Sequence, residues 1–575
     1  MAVEILPGVY VNVRAEGLIS PPQVTVNNIG IVGTASKGAL NTVVLLGSYA
    51  EAVNIFGPYN AFERDTSTKS PKPDALTLVR SLQLAYDNGA STVYAVRISQ
   101  QLAGNPVANP GKYVLGTAAE LAALSPGEWG NGIAVNVADA KVDAFIDLDS
   151  ITAAAGVTAQ LGRTTIDKNN KGNRIRVVQS ATKEVKSFGP VYSPALVASG
   201  KVLIDPATGA LTFDASEPLQ NGDKILASYG VPAANSVLVT LRLGNHSESY
   251  TAADGNHLVA LVNGSSQLAT AVAGTAPDTL PPKSNPISQY DAFGSGANQR
   301  GTNGAAADAS DYANGLALLL DQPVHLTLTA GQDSDSIGSV MRGHLQQAST
   351  SLQKGERIGI LGSNMEADLN EIRAKAANAA DDEGRIIFVG PGVGAIDTAV
   401  TTGDQSVLLP GSYAAAAVAG MLAAREAEVS LTNKVLTAQR VEKAFTAVDL
   451  QSLVQGRVLA LEQRSGVRVV KAITTSTNTA WAQITTRRIV DYAIYGVRGA
   501  ASPYIGLLNN TRVRGNLKST LDSFLQRMVE DEMLVDYRLD VTATRQEEIQ
   551  GVVQVVMTLL PTFSIDYIRV TMFLS

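Results

Sequence analysis

Apolar and polar positions alternate in twos near the start of the chain. Val9, Val11 and Val13 interleave with Tyr10, Asn12 and Arg14 after Pro7-Gly8, a pattern that predicts a short strand. A lone terminal strand cannot stabilise itself, so it must join a sheet, either of its own chain or of another. A polar run over 16–23 separates it from strand candidates at Val24–Val32 and Val43–Leu46. Ser48–Phe56 reads as a short helix. Leu76, Val79, Leu82 and Tyr86 then recur at helical spacing over 73–88, with Gly89 to end the helix, and Thr92–Ile98 is a strand. This β-α-β rhythm predicts an α/β layer domain.

The pattern changes after Gln100. Ile133–Val137, Val142–Leu148, Ile175–Val178 and Leu238–Leu243 read as mostly short strands. Val202–Ile204 and Leu211–Phe213 flank Asp205-Pro206-Ala207-Thr208-Gly209, where Pro206 fixes an early turn position and Gly209 tolerates the positive φ that closes such loops. Residues 292–311 hold almost no large apolar side chains and read as a linker or surface loop. Helix and strand periods then alternate again: helices at Tyr312–Leu320, Ile337–Leu352, Ala367–Asp381 and Tyr413–Glu428, strands at Val324–Ala330, Ile358–Leu361 and Ile386–Val389. Near the end, Val467–Lys471 is a strand candidate and Thr485–Tyr495 a helix. Leu517, Leu521, Phe524, Leu525 and Met528 give an amphipathic helix over 517–534 with Asn516 as its cap. Tyr537–Thr544, Val552–Leu560 and Phe563–Leu574 come next as strands, the last two separated by Pro561.

Composition narrows the function. The 575 residues are 45% apolar, 17% charged and only 5% aromatic, so large cores must close on Ala, Val, Leu and Ile. The formal charge is -7 and no block of basic residues occurs, which argues against nucleic acid as a partner. There is no cysteine, which removes disulfides, thiol catalysis and cysteine-ligated zinc. The four histidines, His246, His257, His325 and His344, make no helical ligand pair. No Gly-rich loop ends in Gly-Lys-Ser/Thr, and Gly390-Pro391-Gly392-Val393-Gly394 lacks dinucleotide spacing; it reads as a turn with close backbone packing. No Gly-x-Ser-x-Gly elbow supports a hydrolase. The expectation is a non-enzyme with no cofactor and no metal. The apolar stretch 407–424 approaches membrane-spanning length, but its Gly, Pro and Ser favour a buried helix, and the start of the chain lacks the pattern of a signal peptide. Neither stable membrane insertion nor export is expected.

Several phrases, in order, carry a resemblance. They are Leu6-Pro-Gly-Val-Tyr-Val-Asn-Val13, Gly30-Ile-Val-Gly-Thr-Ala-Ser-Lys-Gly38, Thr92-Val-Tyr-Ala-Val-Arg97 and Ser125-Pro-Gly-Glu-Trp-Gly-Asn-Gly132. Gly209–Phe213, Gly222-Asp223, Asp311-Tyr312 and Arg487-Arg-Ile-Val-Asp-Tyr492 continue the series. Together they resemble the tail sheath proteins of contractile bacteriophages and of phage-like bacterial particles. The resemblance implies an α/β fold with a discontinuous, subtilisin-like but non-catalytic core, a β-rich protruding insertion and an α+β C-terminal domain. On this sequence that divides as an N-terminal exchanged arm over 1–20, core over 21–103 and 300–440, and insertion over 104–299, with scope for two lobes. The C-terminal domain facing the tail tube would take 441–560, and a C-terminal strand and exchanged arm 561–575.

The resemblance also implies a role: stacked hexameric rings around an inner tail tube that contract to drive the tube through the host envelope during genome delivery. Expected partners are neighbouring sheath subunits, the inner tail tube protein, and baseplate and tail terminator proteins, in a virion tail assembled in the host cytoplasm. Strand exchange would use Val9, Tyr10, Val11 and Val13 at one end and Phe563, Ile565, Tyr567 and Ile568 at the other, by addition of strands to a neighbour's sheet. Arg512, Arg514, Lys518 and Arg527 are candidate contacts to an acidic tube surface, with a solvated helix flank as the plainer reading. The sheath of a bacterial contractile particle is the nearest alternative, and a surface-layer protein a more distant one.

Overall fold

The structure is a computed structural model, and it describes residues 25–65, 70–72, 74–102 and 105–572. Val9, Tyr10, Val11 and Val13 lie outside the described residues. The chain divides into two compact units. Of the described residues, the first takes those up to Ala35, Leu40–Gln101 and those from Ala306 onward; the second takes Ser36–Ala39 and Leu102–Ala305.

The first unit is built on a nine-stranded mixed sheet. Its strands run in the order Val43–Leu46, Val93–Ile98, Ile29–Thr34, Leu326–Thr329, Ile358–Gly362, Ile386–Gly390, Leu459–Gln463, Val467–Val469 and Val435–Leu436. The six from Val93–Ile98 to Leu459–Gln463 are parallel, and the outer ones turn back antiparallel. Central parallel strands are covered on both faces, which is why they read as unbroken apolar runs. Ile29, Ile31, Ile358, Ile360, Ile387 and Val389 pack on one side with helices Tyr49–Phe56, Leu78–Asp87 and Gly411–Ala423. Val32, Leu361, Ile386 and Phe388 pack on the other with Ala309–Ala317, Ser334–Ala348, Leu369–Asn378 and Ala447–Gln455.

Every residue of Gly411–Ala423 is buried. Its small side chains let it lie directly on its neighbours. A Cβ at Gly420 would come within 2.0 Å of the Ala85 carbonyl oxygen, and one at Gly362 within 2.1 Å of the Gly411 backbone. The apolar stretch read as a buried helix is therefore one, and no helix among the described residues is long and apolar enough to cross a membrane.

The division expected at residue 440 falls inside this sheet. Leu459–Gln463 continues it beside Ile386–Gly390, because Val458, Leu459, Ala460 and Leu461 form a buried apolar run that needs cover on both faces. Beyond the sheet lies a C-terminal α+β region: helices Ile484–Ala501 and Thr511–Glu530, then an antiparallel hairpin of Leu534–Thr542 and Gln554–Pro561. The second long helix starts earlier than its apolar spacing suggested. Asn510, not Asn516, caps it by accepting the Val513 N–H at 2.9 Å. The expected strand Phe563–Leu574 does not form over its described part: among the described residues no strand pairs with it.

The second unit has two hydrophobic cores. A seven-stranded sheet from Ala144 to Val231 encloses one around Ile175, Phe213, Ile225 and Tyr229. A four-stranded and a three-stranded sheet close the other with helix Gly255–Ser265, which the sequence reading missed among the strands. The Val202–Phe213 hairpin forms in the register Val202↔Phe213 and Ile204↔Leu211, and Gly209 closes it at φ 71°.

Three histidines are buried as neutral acceptors. His344 Nε2 lies 3.2 Å from an Arg357 nitrogen, His325 Nδ1 accepts the Asn28 N–H, and His257 Nδ1 accepts the Ala253 N–H. Burial first, and then a nearby guanidinium, depresses His344 to about 3 and His325 and His257 to about 4. Unfolded histidine titrates near pH 6.5, so below that pH the unfolded chain takes up protons that the folded chain refuses. This contribution is complete above about pH 6.5 and is lost as pH falls toward about 4. Thermal unfolding followed from pH 7 to pH 5 should lose on the order of 2 kcal/mol per histidine, and His344→Gln should flatten the slope.

Candidate functional site

Among the described residues, the C-terminal hairpin leaves backbone groups open along both of its strands. Leu534–Thr542 pairs with Gln554–Pro561 from Leu534↔Pro561 to Thr542↔Gln554, and among the described residues neither strand pairs with a third. One face is satisfied: Tyr537, Leu539, Val541, Val555, Met557 and Leu559 turn toward the two long helices. The other face carries Asp536, Arg538 and Asp540 on one strand and Val556, Thr558 and Leu560 on the other, all exposed. The two edges differ. Charges guard the first strand, whereas Gln554–Pro561 has none, and an uncharged open edge is a template for pairing.

The chain continues from that strand as an extended tail without regular structure over residues 562–572. The Thr562 N–H still bonds to the Met533 carbonyl at 3.1 Å. Beyond it, Ser564 and Asp566 turn to the chain's own body, while Phe563, Ile565, Tyr567, Ile568, Val570 and Met572 are 57–86% exposed. A soluble surface rarely strings six large apolar side chains together unless something covers them. The four C-terminal residues proposed for strand exchange thus share one exposed segment.

The four cations are not gathered in this way. Arg514 pairs with Glu548 at 2.9 Å and donates to Asn509, half-buried at the start of the helix. Lys518 stands 3.7 Å from Asp540. Arg512 and Arg527 are exposed at opposite ends of the helix. At 3.6 residues per turn, Lys518 and Arg527 point about 180° apart, whereas Arg512 and Arg527 lie within about 60°.

Helix Ile484–Ala501 is fastened to the sheet by buried charge. Arg488 donates to the Arg425 and Glu426 carbonyls at 2.8 and 2.9 Å and to Asn27 Oδ1 at 2.8 Å. Burial pushes its guanidinium down to about 10. Asp491 accepts from Arg487 at 2.6 Å and Arg385 at 3.4 Å, and the Arg487 guanidinium lies 4.3 Å from the centre of the Trp481 ring. One turn further on, Tyr495 donates to the Glu356 carbonyl at 2.7 Å and Arg498 grips the Glu356 carboxylate. The long helix that carries the hairpin is therefore held to the body by hydrogen-bonded charges that need fixed geometry.

Residues 476–575, which include this helix, the hairpin and the tail, match the phage tail sheath C-terminal domain. The family match is confined to this C-terminal region. The fold agrees over nearly the whole length. A sheath tail protein from Desulfitobacterium hafniense superposes with a TM-score of 0.57 at 12% identity, covering 96% of this chain and 100% of that one. A sheath tail protein from Listeria innocua gives 0.53 at 12% identity, covering 94% and 96%. No curated protein matches the chain in sequence.

The buried charges of this C-terminal region were missed by sequence reasoning, although Arg487, Arg488 and Asp491 all belong to the phrase Arg487–Tyr492. Charged residues on a helix read as solvated by default. The available signal was their position: Arg488 adjoins Ile489 on the helix, and the apolar spacing leaves no polar face broad enough for all three. Among the described residues no group of three His, Asp or Glu is placed to hold a metal. Replacing Asp491 with Ala would leave the buried Arg487 without its carboxylate partner and Arg385 with Glu383 alone. It should lower unfolding stability by about 3–5 kcal/mol, measured by denaturant titration, whereas Asp540→Ala on the exposed face should change it by less than about 0.5 kcal/mol.

Proposed function

We propose that this chain is a structural subunit of a contractile tail sheath. It polymerises as stacked hexameric rings around an inner tail tube and shortens to drive that tube through a host cell envelope during genome delivery. The observation that carries this reading is the pairing of an open, uncharged strand edge with an extended apolar tail in a domain of the tail sheath family. The terminal segments 1–20 and 561–575 are the connectors between copies, adding strands to a neighbour's hairpin. Val9, Tyr10, Val11 and Val13 supply the first, and Phe563, Ile565, Tyr567 and Ile568 the second. The role is structural rather than enzymatic, and the inherited core is a scaffold.

Magnitudes favour many weak links over one strong one. A six-residue strand making about four net hydrogen bonds gains roughly 4 kcal/mol. Burying about 300 Å² of apolar surface adds roughly 7 kcal/mol, and ordering six residues costs about 9 kcal/mol. A single connector is marginal; several per subunit form a stable mesh by multivalency. Such a mesh lets bodies change their packing while the connectors keep them joined, which is the requirement for contraction between two interface arrangements.

Tube attachment uses Arg512, Arg514, Lys518 and Arg527 of Thr511–Glu530, of which Arg512 and Arg527 are exposed on one side of that helix. Baseplate and terminator proteins would meet the ends of such a cylinder, within a virion tail put together in the host cytoplasm. The same architecture serves the sheath of a phage-like bacterial particle, and a capsid gene beside this one would separate the two.

Electron microscopy of the purified full chain should show hollow helical cylinders. Deleting residues 1–14, or truncating after Pro561, should leave a folded subunit and remove the cylinders; normal cylinders from both would sink the reading. With a tube protein present, Arg512→Glu combined with Arg527→Glu should cut co-sedimentation with the tube several-fold at physiological salt. Unchanged binding would move the contact to another surface.

A further inference from the structure

The tail beyond Pro561 changes character part-way along. Over 563–567 the odd positions Phe563, Ile565 and Tyr567 are apolar and exposed, and the even positions Ser564 and Asp566 are polar and face the chain's own body. Over 568–572 the parity inverts: Ile568, Val570 and Met572 are apolar, while Arg569 and Thr571 are polar. Successive side chains of an extended segment point to opposite faces. The face that met the parent body through Asp566 therefore becomes apolar from Ile568 onward, and there it has no body beneath it: all three side chains are at least 75% exposed.

The first half is also held in place. Asp566 sits 3.1 Å from Lys471 Nζ, accepts from Gln483 Nε2 at 3.3 Å, and accepts from the Thr432 hydroxyl at 3.4 Å. The same Gln483 accepts the Ser564 N–H at 3.3 Å through Oε1, and Lys471 Nζ lies 5.1 Å from the centre of the Tyr567 ring. Lys471 and Thr432 flank the sheet strands Val467–Val469 and Val435–Leu436, and Gln483 caps Ile484–Ala501, so the holding residues belong to the rigid body. Among the described residues, 568–572 make no comparable contact and are all exposed.

We propose that the tail has two parts with different owners. Residues 562–567 are a stalk clamped to the parent subunit by Lys471, Gln483 and Thr432 through Asp566 and Ser564. The donated strand begins at Ile568, and its Ile568, Val570 and Met572 face is covered by the hairpin of a second copy of this chain. The unguarded edge Gln554–Pro561, with Val556 and Leu560 exposed beside it, is the matching surface: it offers open backbone groups, carries no charge to repel the strand, and presents apolar side chains for that face. This inference rests on the sheath reading and narrows it: of the four connector residues at this end, Phe563, Ile565 and Tyr567 fall in the stalk, and Ile568 begins the share that the neighbour takes. The clamp, set on the body rather than on the hairpin, fixes the point from which each strand reaches out.

Hydrogen exchange on the full chain tests it, comparing free subunits with assembled cylinders. The amides of 568–572 should be unprotected in the free chain and gain at least tenfold protection in cylinders, while the Ser564 amide keeps the same protection in both. Equal new protection across 563–572 would overturn the division, because the neighbour would then take the whole tail. A second experiment uses the absence of native cysteine. Thr432→Cys with Asp566→Cys, joined within free subunits by a short bis-maleimide, should still give cylinders at the yield of the unlinked pair. Loss of cylinders only on linking would show that the tail must leave the body before Asp566. Ile568→Asp with Val570→Asp should abolish cylinders while circular dichroism stays unchanged; cylinders at the original yield would overturn the donated face. Failure of the sheath reading itself looks different: truncation after Pro561 would then leave assembly intact.

Discussion

A β-strand exposes as many hydrogen-bonding groups at an open edge as it satisfies at a paired one, and this molecule keeps two such edges in its C-terminal hairpin. A two-stranded sheet has little stability of its own. Here it survives because one face packs on Thr511–Glu530 and that helix packs on Ile484–Ala501. The arrangement makes the hairpin both rigid and unfinished. An unfinished sheet is useful when its completion is the act of assembly.

Rigidity reaches the hairpin through charge rather than through apolar packing alone. Arg488 is buried against backbone carbonyls, and Asp491 bridges Arg487 and Arg385 between the long helix and the sheet. An apolar contact would hold the helix to the body at many neighbouring positions with similar energy. Guanidinium and carboxylate groups accept only a few geometries once they are out of water. The hairpin therefore takes its direction from the core sheet.

Much of this was legible in the sequence, for reasons that differ by element. Strands such as Ile29–Thr34 and Ile386–Gly390 announce themselves because burial on both faces demands apolar residues throughout. The Asp205–Gly209 turn was readable because only glycine sits easily at its closing φ. Helix Gly255–Ser265 was hidden by its polar opening, Asn256-His257, and by Gly264 near its end. The early start of Thr511–Glu530 was hidden because Arg512, Arg514, Gly515 and Asn516 carry no apolar period. The terminal segment Phe563–Leu574 is the instructive case: its residues favour a strand, yet strand structure needs a partner, and none lies beside it among the described residues. The tail's apolar residues could be picked out from composition. The tethering of Asp566 by Lys471, Gln483 and Thr432 could not, since it joins residues 83 to 134 positions apart.

Helix Gly411–Ala423 has a mechanical corollary. With all thirteen residues buried and glycine where backbones nearly touch, it leaves the body no slack to compress. A load applied at one side of such a solid is delivered to the other almost undiminished. Elastic give must then come from the thin extended segments at its margin and not from this packed layer.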